Sequence, residues 1–137
     1  MTATTTTISV ETPVVWKQGL AAAAGAAAAT TALAGIASAG GVSFSDGSGP
    51  GIPTLGFTQL TLLFSLIGVA MAAVMQRRAK QPRATFVRTA AVLTVLSFVP
   101  DLTFGFDAAS AITLIALHTV AAVIVVPVVA GRLTRTR

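Results

Sequence analysis

The chain of 137 residues contains no cysteine and only one histidine. The absence of cysteine excludes disulfides, thiol catalysis, iron–sulfur clusters and thiolate zinc sites. A haem held between the histidines of two copies would need only one histidine per chain, but nothing else in the sequence supports it. We therefore expect no metal and no cofactor.

Charged residues are also scarce, at 9% of the chain, whereas 54% of the residues are hydrophobic. A soluble domain usually carries about 25% charged residues, so this chain lacks the polar surface that water requires. The net charge of +5 could suggest nucleic-acid binding. However, the basic residues lie at the ends of apolar runs and form no basic-aromatic groove pattern, which indicates a lipid bilayer as the partner and no nucleic acid.

Long apolar runs alternate with short polar segments, and this pattern predicts an all-α integral membrane protein with four transmembrane helices. The short connections favour an antiparallel four-helix bundle. The predicted membrane domain covers residues 17–134, between a flexible N-terminal tail at 1–16 and a basic C-terminal tail at 135–137. Its predicted spans lie at about 18–40, 55–76, 85–105 and 108–131.

The first predicted span is rich in alanine, which favours insertion less than leucine does, so a second interpretation stays open. The segment Ala37–Ala39 reads "ASA" and resembles a signal-peptidase cleavage site. Against cleavage, the apolar region is long for a signal peptide, and Lys17 is the only basic residue that precedes it.

Positive charge is distributed unevenly over the loops and predicts the orientation of the spans. The connection between the second and third spans and the end of the fourth span carry the basic residues Arg77, Arg78, Lys80, Arg83 and Arg132. The other two loops contain no lysine or arginine. The positive-inside rule therefore places both termini in the cytoplasm of a plasma membrane, and the arginines at lipid headgroups.

Small and weakly polar residues recur at helical spacing in the first two spans. Such residues let transmembrane helices approach closely, as in small-xxx-small packing. The candidate packing residues are Gly25, Thr31, Gly35, Ser38, Ser65 and Gly68.

His118 lies about midway along the fourth span, where an ionisable residue suggests a proton or ion path. The alternative is a neutral imidazole that faces the bundle and is hydrogen-bonded to a hydroxyl of another helix. Three hydroxyls lie at a suitable depth, on Thr31, Ser65 and Thr94. Because a proton relay normally needs a second titratable group nearby, the packing role is favoured.

Asp101 and Asp107 are the acidic residues nearest to that path. Asp107 is well placed as the N-cap of the fourth span, and eleven residues of helix separate it from His118 by about 16 Å. Asp101 follows Pro100 and is expected to cap or bend the outer end of the third span. Alternatively, it forms the mouth of a path that ends at His118.

Several membrane chemistries lack the residues they need. A retinal protein requires a lysine in mid-membrane, and Lys17 and Lys80 both lie at borders. The first span lacks the carboxylate of small drug–proton antiporters. With no carboxylate expected within reach of His118, no nucleophile–base–orienter set is evident, and we expect no enzyme activity.

The alanine-rich first span, the glycine-rich loop, the "RR" basic turn and the last span "LIALHTVAAVIVVPVVAGRL" together resemble a known family. This family comprises small four-span actinobacterial membrane proteins described as a domain of unknown function, sometimes labelled cell-envelope proteins. The resemblance covers about residues 17–134 and is most specific from His118 to Arg132. It implies a bacterial cell-membrane protein and no particular activity.

Two hypotheses for the function follow. The first is a non-enzymatic accessory or oligomeric component of the envelope, with another copy or another membrane protein as partner. The second is a small oligomeric proton or ion transporter, or a channel subunit, that uses His118 at the midplane.

Overall fold

A computed structural model describes residues 14–133, which form four α-helices and no strand. Each helix is long and apolar enough to cross a membrane, which confirms the all-helical prediction with four candidate spans. The helices are α1 Val14–Ala39, α2 Thr54–Arg78, α3 Pro82–Thr103 and α4 Ala108–Ala130. Residues 1–13 and 134–137, which include most of the predicted N-terminal tail and all of the C-terminal tail, lie outside the described residues.

Local sequence accounts for where the helices begin. Pro53 precedes α2 in extended conformation, and Pro82 is the first residue of α3, where its missing N–H has no helical partner to lose. Asp107 caps α4 with its side chain, as predicted. The first helix begins at Val14, four residues before the predicted span, because a helix can continue past the hydrocarbon.

All four helices contribute buried side chains to the bundle interior. Helix α1 lies against α2 and α4, and α3 lies against α4 and α2, whereas the backbones of α1 and α3 do not come close to each other within residues 14–133. Helices α2 and α4 therefore each contact the other three helices. Any polar group on α3 meets α4 or α2 before it meets α1.

Two hydroxyl pairs join α1 to α2. The Oγ1 atoms of Thr30 and Thr61 lie 3.0 Å apart, and those of Thr31 and Thr58 lie 2.7 Å apart. In these pairs the residue number falls along α2 as it rises along α1. Interhelical hydrogen bonds of this kind contribute about 0.6 kcal/mol each in membrane proteins.

Alanines and valines make up most of the interior, together with a few phenylalanines and leucines, while many other large apolar residues face outward. The buried side of α1 consists mainly of Ala22, Ala23, Ala26, Ala27 and Ala34. Every helix exposes large apolar side chains, which are drawn from leucine, isoleucine, valine and phenylalanine. Water would disfavour this distribution, whereas a bilayer has no such effect because lipid tails are as apolar as leucine.

The loop between α1 and α2 folds back over the end of the bundle. The ring of Phe44 is buried and meets Phe57 edge-on, with centroids 4.9 Å apart. Phe44 has a φ of 50°, a left-handed conformation that is uncommon for a bulky residue. The loop also needs glycine at position 51, where a Cβ would overlap the carbonyl oxygen of Ser43.

Helix α3 is shifted along α4, so that the end of α3 lies beside the middle of α4 and the first part of α4 extends beyond it. Asp101 lies two residues from the end of α3 but contacts His118, ten residues into α4. At 1.5 Å per residue, α4 therefore extends about 12 Å beyond the end of α3. The segment Phe104–Asp107 covers this distance without helical structure.

Candidate functional site

The site begins with one acidic residue near the end of α3 and the single histidine of α4. The side chain of Asp101 is 7% exposed and that of His118 is 41% exposed. Asp101 is therefore enclosed between the helices, while the histidine ring lies at the edge of the α3–α4 contact. Both residues lie within candidate membrane spans.

Two acceptors lie close to the same ring nitrogen of His118. Its Nδ1 atom is 2.9 Å from the carbonyl oxygen of Leu114, one turn earlier in α4. The Oδ2 atom of Asp101 lies 3.1 Å from that nitrogen. Because a carbonyl oxygen can only accept a hydrogen bond, the contact with Leu114 requires a proton on Nδ1.

The buried carboxylate of Asp101 is incompletely satisfied. Its Oδ2 atom has no hydrogen bond of good geometry among the described residues, although it lies within ion-pair distance of Nδ1. The N–H of His118 is aligned with the Leu114 carbonyl instead. A buried acidic oxygen in this condition is costly unless a positive charge or a proton compensates it.

Phe98 forms part of the wall around the pair. Its ring meets the imidazole of His118 edge-on, with centroids 6.5 Å apart and planes at 65°. Phe98 lies one turn before Asp101 on α3, so both side chains project toward α4. The pair is thus flanked by an aromatic ring instead of a polar group.

The prediction that His118 bonds a hydroxyl of another helix is wrong. Thr31 pairs with Thr58, and the hydroxyl of Thr94 donates to the carbonyl of Ala90. Ser65 is buried on α2 without a contact to the ring among the described hydrogen bonds. The offset of α3 along α4 brings a carboxylate to the histidine where a hydroxyl was expected.

Two further expectations for Asp101 are corrected by the same contact. Its carboxylate does not cap the end of the third span, since it is buried against His118. A carboxylate is therefore within reach of the only histidine, contrary to the prediction that none would be. Helix length and periodicity locate each residue only along its own helix. They do not predict the relative shift of α3 and α4, which brings Asp101 to the depth of His118.

Asp107 belongs to a separate polar cluster at the end of the bundle, and no contact joins it to His118 among the described residues. Its Oδ1 accepts a hydrogen bond from the backbone N–H of Ser110 at 2.9 Å, and its Oδ2 accepts from the Ser110 hydroxyl at 2.8 Å. The hydroxyl of Ser43 also donates to Oδ2, at 3.0 Å. These bonds, the backbone bond from Ser110 foremost, lower the pKa of Asp107 below its usual 3.8.

The Ser110 side chain connects this cap to the loop before α2. Its Oγ accepts a hydrogen bond from the backbone N–H of Phe44 at 3.0 Å, and the residue is fully buried. No sequence motif marked Ser43 or Ser110. The only available signal was Ser110 three residues after Asp107, which places its N–H at the capping position.

We expect Asp107→Asn to reduce stability at neutral pH and to reduce its acid sensitivity. A depressed folded pKa contributes stability that is fully present above the unfolded pKa and is lost as pH falls through the folded value. Wild type should therefore lose its advantage over Asp107→Asn below about pH 4. Melting temperatures of both proteins in detergent between about pH 2 and 7 check this; a constant difference would contradict it.

The basic residues predicted to mark topology lie together at the opposite end of the helices. Each is exposed, within the last turn of α2, the turn after it, the first turn of α3, or just beyond α4. They are Arg77, Arg78, Lys80, Arg83 and Arg132. This position allows contact with anionic headgroups without burial of charge.

The predicted packing residues have mixed positions. Thr31 joins α1 to α2, a Cβ at Gly35 would touch Thr54 of α2, and Ser65 is buried. Ser38 is exposed, and no atom of another helix lies near Gly25 or Gly68.

The closest glycine contact instead involves Gly19, which had not been singled out. A Cβ placed on Gly19 would lie 2.6 Å from a methyl group of Val69. Thr30, which bonds Thr61, was likewise missed. The small-residue pattern covers most of α1 and could not distinguish its faces.

No group of three or more histidine and acidic residues that could hold a metal occurs among residues 14–133. The described part of the chain thus defines a four-helix protein that fits a multi-pass membrane protein, with a buried aspartate paired to a histidine. The model of a family of unknown function, DUF6069, matches residues 10–135, so the chain belongs to that family. Neither the curated proteins nor the solved structures include a significant match.

Proposed function

We propose that this chain is a non-enzymatic multi-pass protein of a bacterial plasma membrane, and that it acts as an accessory or oligomeric component of the cell envelope. In this proposal the four helices run antiparallel, and both termini lie in the cytoplasm. The observation that carries the proposal is the exposure of large apolar side chains along every helix around an interior of small residues. Lipid must cover part of that surface, and other helices can cover the rest.

Charge supports the proposed orientation. The arginines in the last turn of α2 and just beyond α4 lie at the opposite end of the helices from the loops that contain Asp46 and Asp107. The contacts between α1 and α2, in which residue numbers run in opposite directions, support the antiparallel arrangement. Cytoplasmic loops of bacterial membrane proteins carry the excess of lysine and arginine.

The proposal that the protein is not an enzyme rests on the surroundings of the histidine. Asp101 could orient His118, as an acidic residue does in a hydrolytic triad. However, no hydroxyl bonds the Nε2 atom of His118 among the described residues, so the nucleophile of such a triad is missing. Its depth within an apolar span also separates it from water-soluble substrates.

A second candidate function is a proton-conducting subunit of an oligomer. One observation favours it: His118 has the second titratable group that a relay needs, because Asp101 lies 3.1 Å away. Four helices of this length do not by themselves enclose a path across the bilayer. This function therefore requires several copies, and it shares the oligomeric assembly of the first proposal.

Cysteine labelling tests the proposed topology directly, because the natural chain contains no cysteine. We expect a membrane-impermeant maleimide to label Ser48→Cys in intact cells, and to label Lys80→Cys only after the membrane is permeabilised. Both positions are exposed, so accessibility within the fold is matched. Labelling of Lys80→Cys in intact cells would contradict the orientation.

Counting subunits tests the proposed assembly. We expect the fluorescently labelled protein, diluted in lipid vesicles, to bleach in several steps per particle. A single step at all protein-to-lipid ratios would contradict an oligomer and, with it, the proton-conducting alternative. It would leave a monomeric accessory protein.

A further inference from the structure

The Nε2 atom of His118 is the one polar ring atom of the site without an assigned partner. The contact with Leu114 places the proton on Nδ1, so the neutral ring carries its free electron pair on Nε2. No hydrogen bond to Nε2 occurs within residues 14–133. The ring is 41% exposed, which leaves room for a small ligand at this atom.

The ligand that such an atom binds most readily is a proton. An imidazole with its Nδ1–H fixed by a carbonyl accepts a proton at Nε2 and becomes a cation. The Asp101 carboxylate lies next to the ring and would stabilise that cation. A protonated ring would in turn compensate the buried Oδ2 atom, which has no hydrogen bond of its own.

No other charged residue of the described chain lies near this depth. The charges of α1 and α2 are confined to Lys17 and to Arg77 and Arg78, at the far ends of those helices. On α3 the nearest is Arg88, about 20 Å from Asp101 along the helix axis. Helix α4 contains no other ionisable residue. No other charged residue of the described chain is therefore close enough to affect the protonation of the pair strongly.

Helix α3 ends close to this pair, and this shortens the route from the pair to water. Asp101 lies about 3 Å from the last residue of α3, and about 28 Å from its first, Pro82. Beyond α3, α4 runs beside the non-helical segment Phe104–Asp107 and packs on α1 and on the loop before α2, where Phe44 and Leu114 are buried. Water has the shorter path from the end of the bundle that holds Asp107.

We propose that Asp101 and His118 form a proton-binding site that exchanges with water at the Asp107 end of the bundle. A proton from hydronium forms an N–H bond at Nε2 as its bond to the water oxygen breaks. The uncharged ring becomes an imidazolium, and the pair changes from a net charge of −1 to 0. No redox partner or other reactant takes part. The site rests on the proposed embedding in a membrane, but not on the orientation of the chain or its assembly.

Nitrogen NMR of the full chain in lipid vesicles tests this site. The single histidine gives one pair of ring signals, so ¹⁵N-labelled histidine needs no further assignment. We expect the ring to bind a proton as pH falls between about 8 and 5. In Asp101→Asn a smaller fraction of the ring should be protonated at each pH, because the compensating negative charge has been removed.

Asp107→Asn is the matched control, since it removes a carboxylate that contacts Ser110 and Ser43 instead of the ring. It should leave the titration of His118 unchanged. Changing pH on one side of vesicles with a known protein orientation then locates the access. The His118 ring signals should respond to the pH on the side of the membrane from which Ser48→Cys is labelled.

The possible results distinguish the proton site from its route to water. A wild-type ring that stays neutral down to about pH 5 would overturn the proton site. A response only to pH on the Lys80 side would overturn the proposed access. If Asp101→Asn fails to fold by circular dichroism, wild type and Asp107→Asn still decide both points. Failure of the cysteine-labelling prediction would reverse the topology and leave the titration intact, so the two proposals fail separately.

Discussion

His118→Leu is expected to destabilise the bundle by about 1–3 kcal/mol, because it leaves the carboxylate of Asp101 buried without a polar side chain beside it. Asp101→Leu should cost less. The remaining imidazole is half-exposed and keeps its contact with the Leu114 carbonyl. Reversible unfolding in mixed detergent micelles, at a pH near 7, measures both free energies.

The double variant Asp101→Leu/His118→Leu tests whether a direct interaction between the two side chains contributes to stability. Replacing both partners of a buried ion pair with apolar residues is often neutral or stabilising. We therefore expect the double variant to be close to wild type, with a coupling energy of about 2 kcal/mol or more between the two sites. Additive losses in the double variant would contradict a direct interaction.

Thr119→Leu serves as the control for these substitutions. Thr119 follows His118 on α4, is exposed, and donates its hydroxyl to the carbonyl of Ile115 in its own helix. Its replacement should change the free energy of unfolding by about 0.5 kcal/mol at most. A loss as large as that of His118→Leu would show that any change to this part of α4 is damaging.

Gly19→Ala is expected to cost about 1–3 kcal/mol, since the added methyl would overlap the side chain of Val69 at the contact between α1 and α2. Val69 is fully buried, so its rotamers have little freedom to give way. The helices must separate slightly, which weakens their other contacts. Thermal unfolding in detergent measures the loss.

Gly25→Ala is the matched control on the same helix, because no atom lies within 4 Å of a Cβ at that position. There the higher helix propensity of alanine should be neutral or stabilise by up to about 1 kcal/mol. Adding Val69→Ala to Gly19→Ala should restore part of the loss, with a favourable coupling. Equal effects at the two glycines would show that the Gly19 contact is not close.

The glycines without a neighbour inside the chain also bear on the oligomeric assembly. Gly25 and Gly68 face outward in this chain, although both were predicted to pack between helices. If these glycines contact another copy, Gly25→Ala would change the subunit count while leaving the folding of the single chain unaffected. This effect would assign Gly25 to an intermolecular role.

The amino-acid sequence was sufficient for the helices, because each of their signals is local. Scarce charge and long apolar runs predicted four spans, and Asp107 was recognised as the cap of α4 from its position before the apolar run. Family membership could also be recognised from such local patterns. In contrast, nothing local distinguished Gly19 from Gly25, since both lie in an alanine-rich helix with small neighbours.

The contact between Asp101 and His118 depended on tertiary structure alone. From the sequence, Asp101 is placed at the end of its own helix and His118 near the middle of its own, which predicts different depths for the two residues. Their meeting requires α3 to be shifted by about 12 Å along α4. The packing of Phe86 and Ala90 with Val125 and Val129 fixes that shift, because these buried residues fit together in one register. Composition and periodicity determined that the chain forms membrane helices, whereas the relative positions of the helices determined which polar groups meet between them.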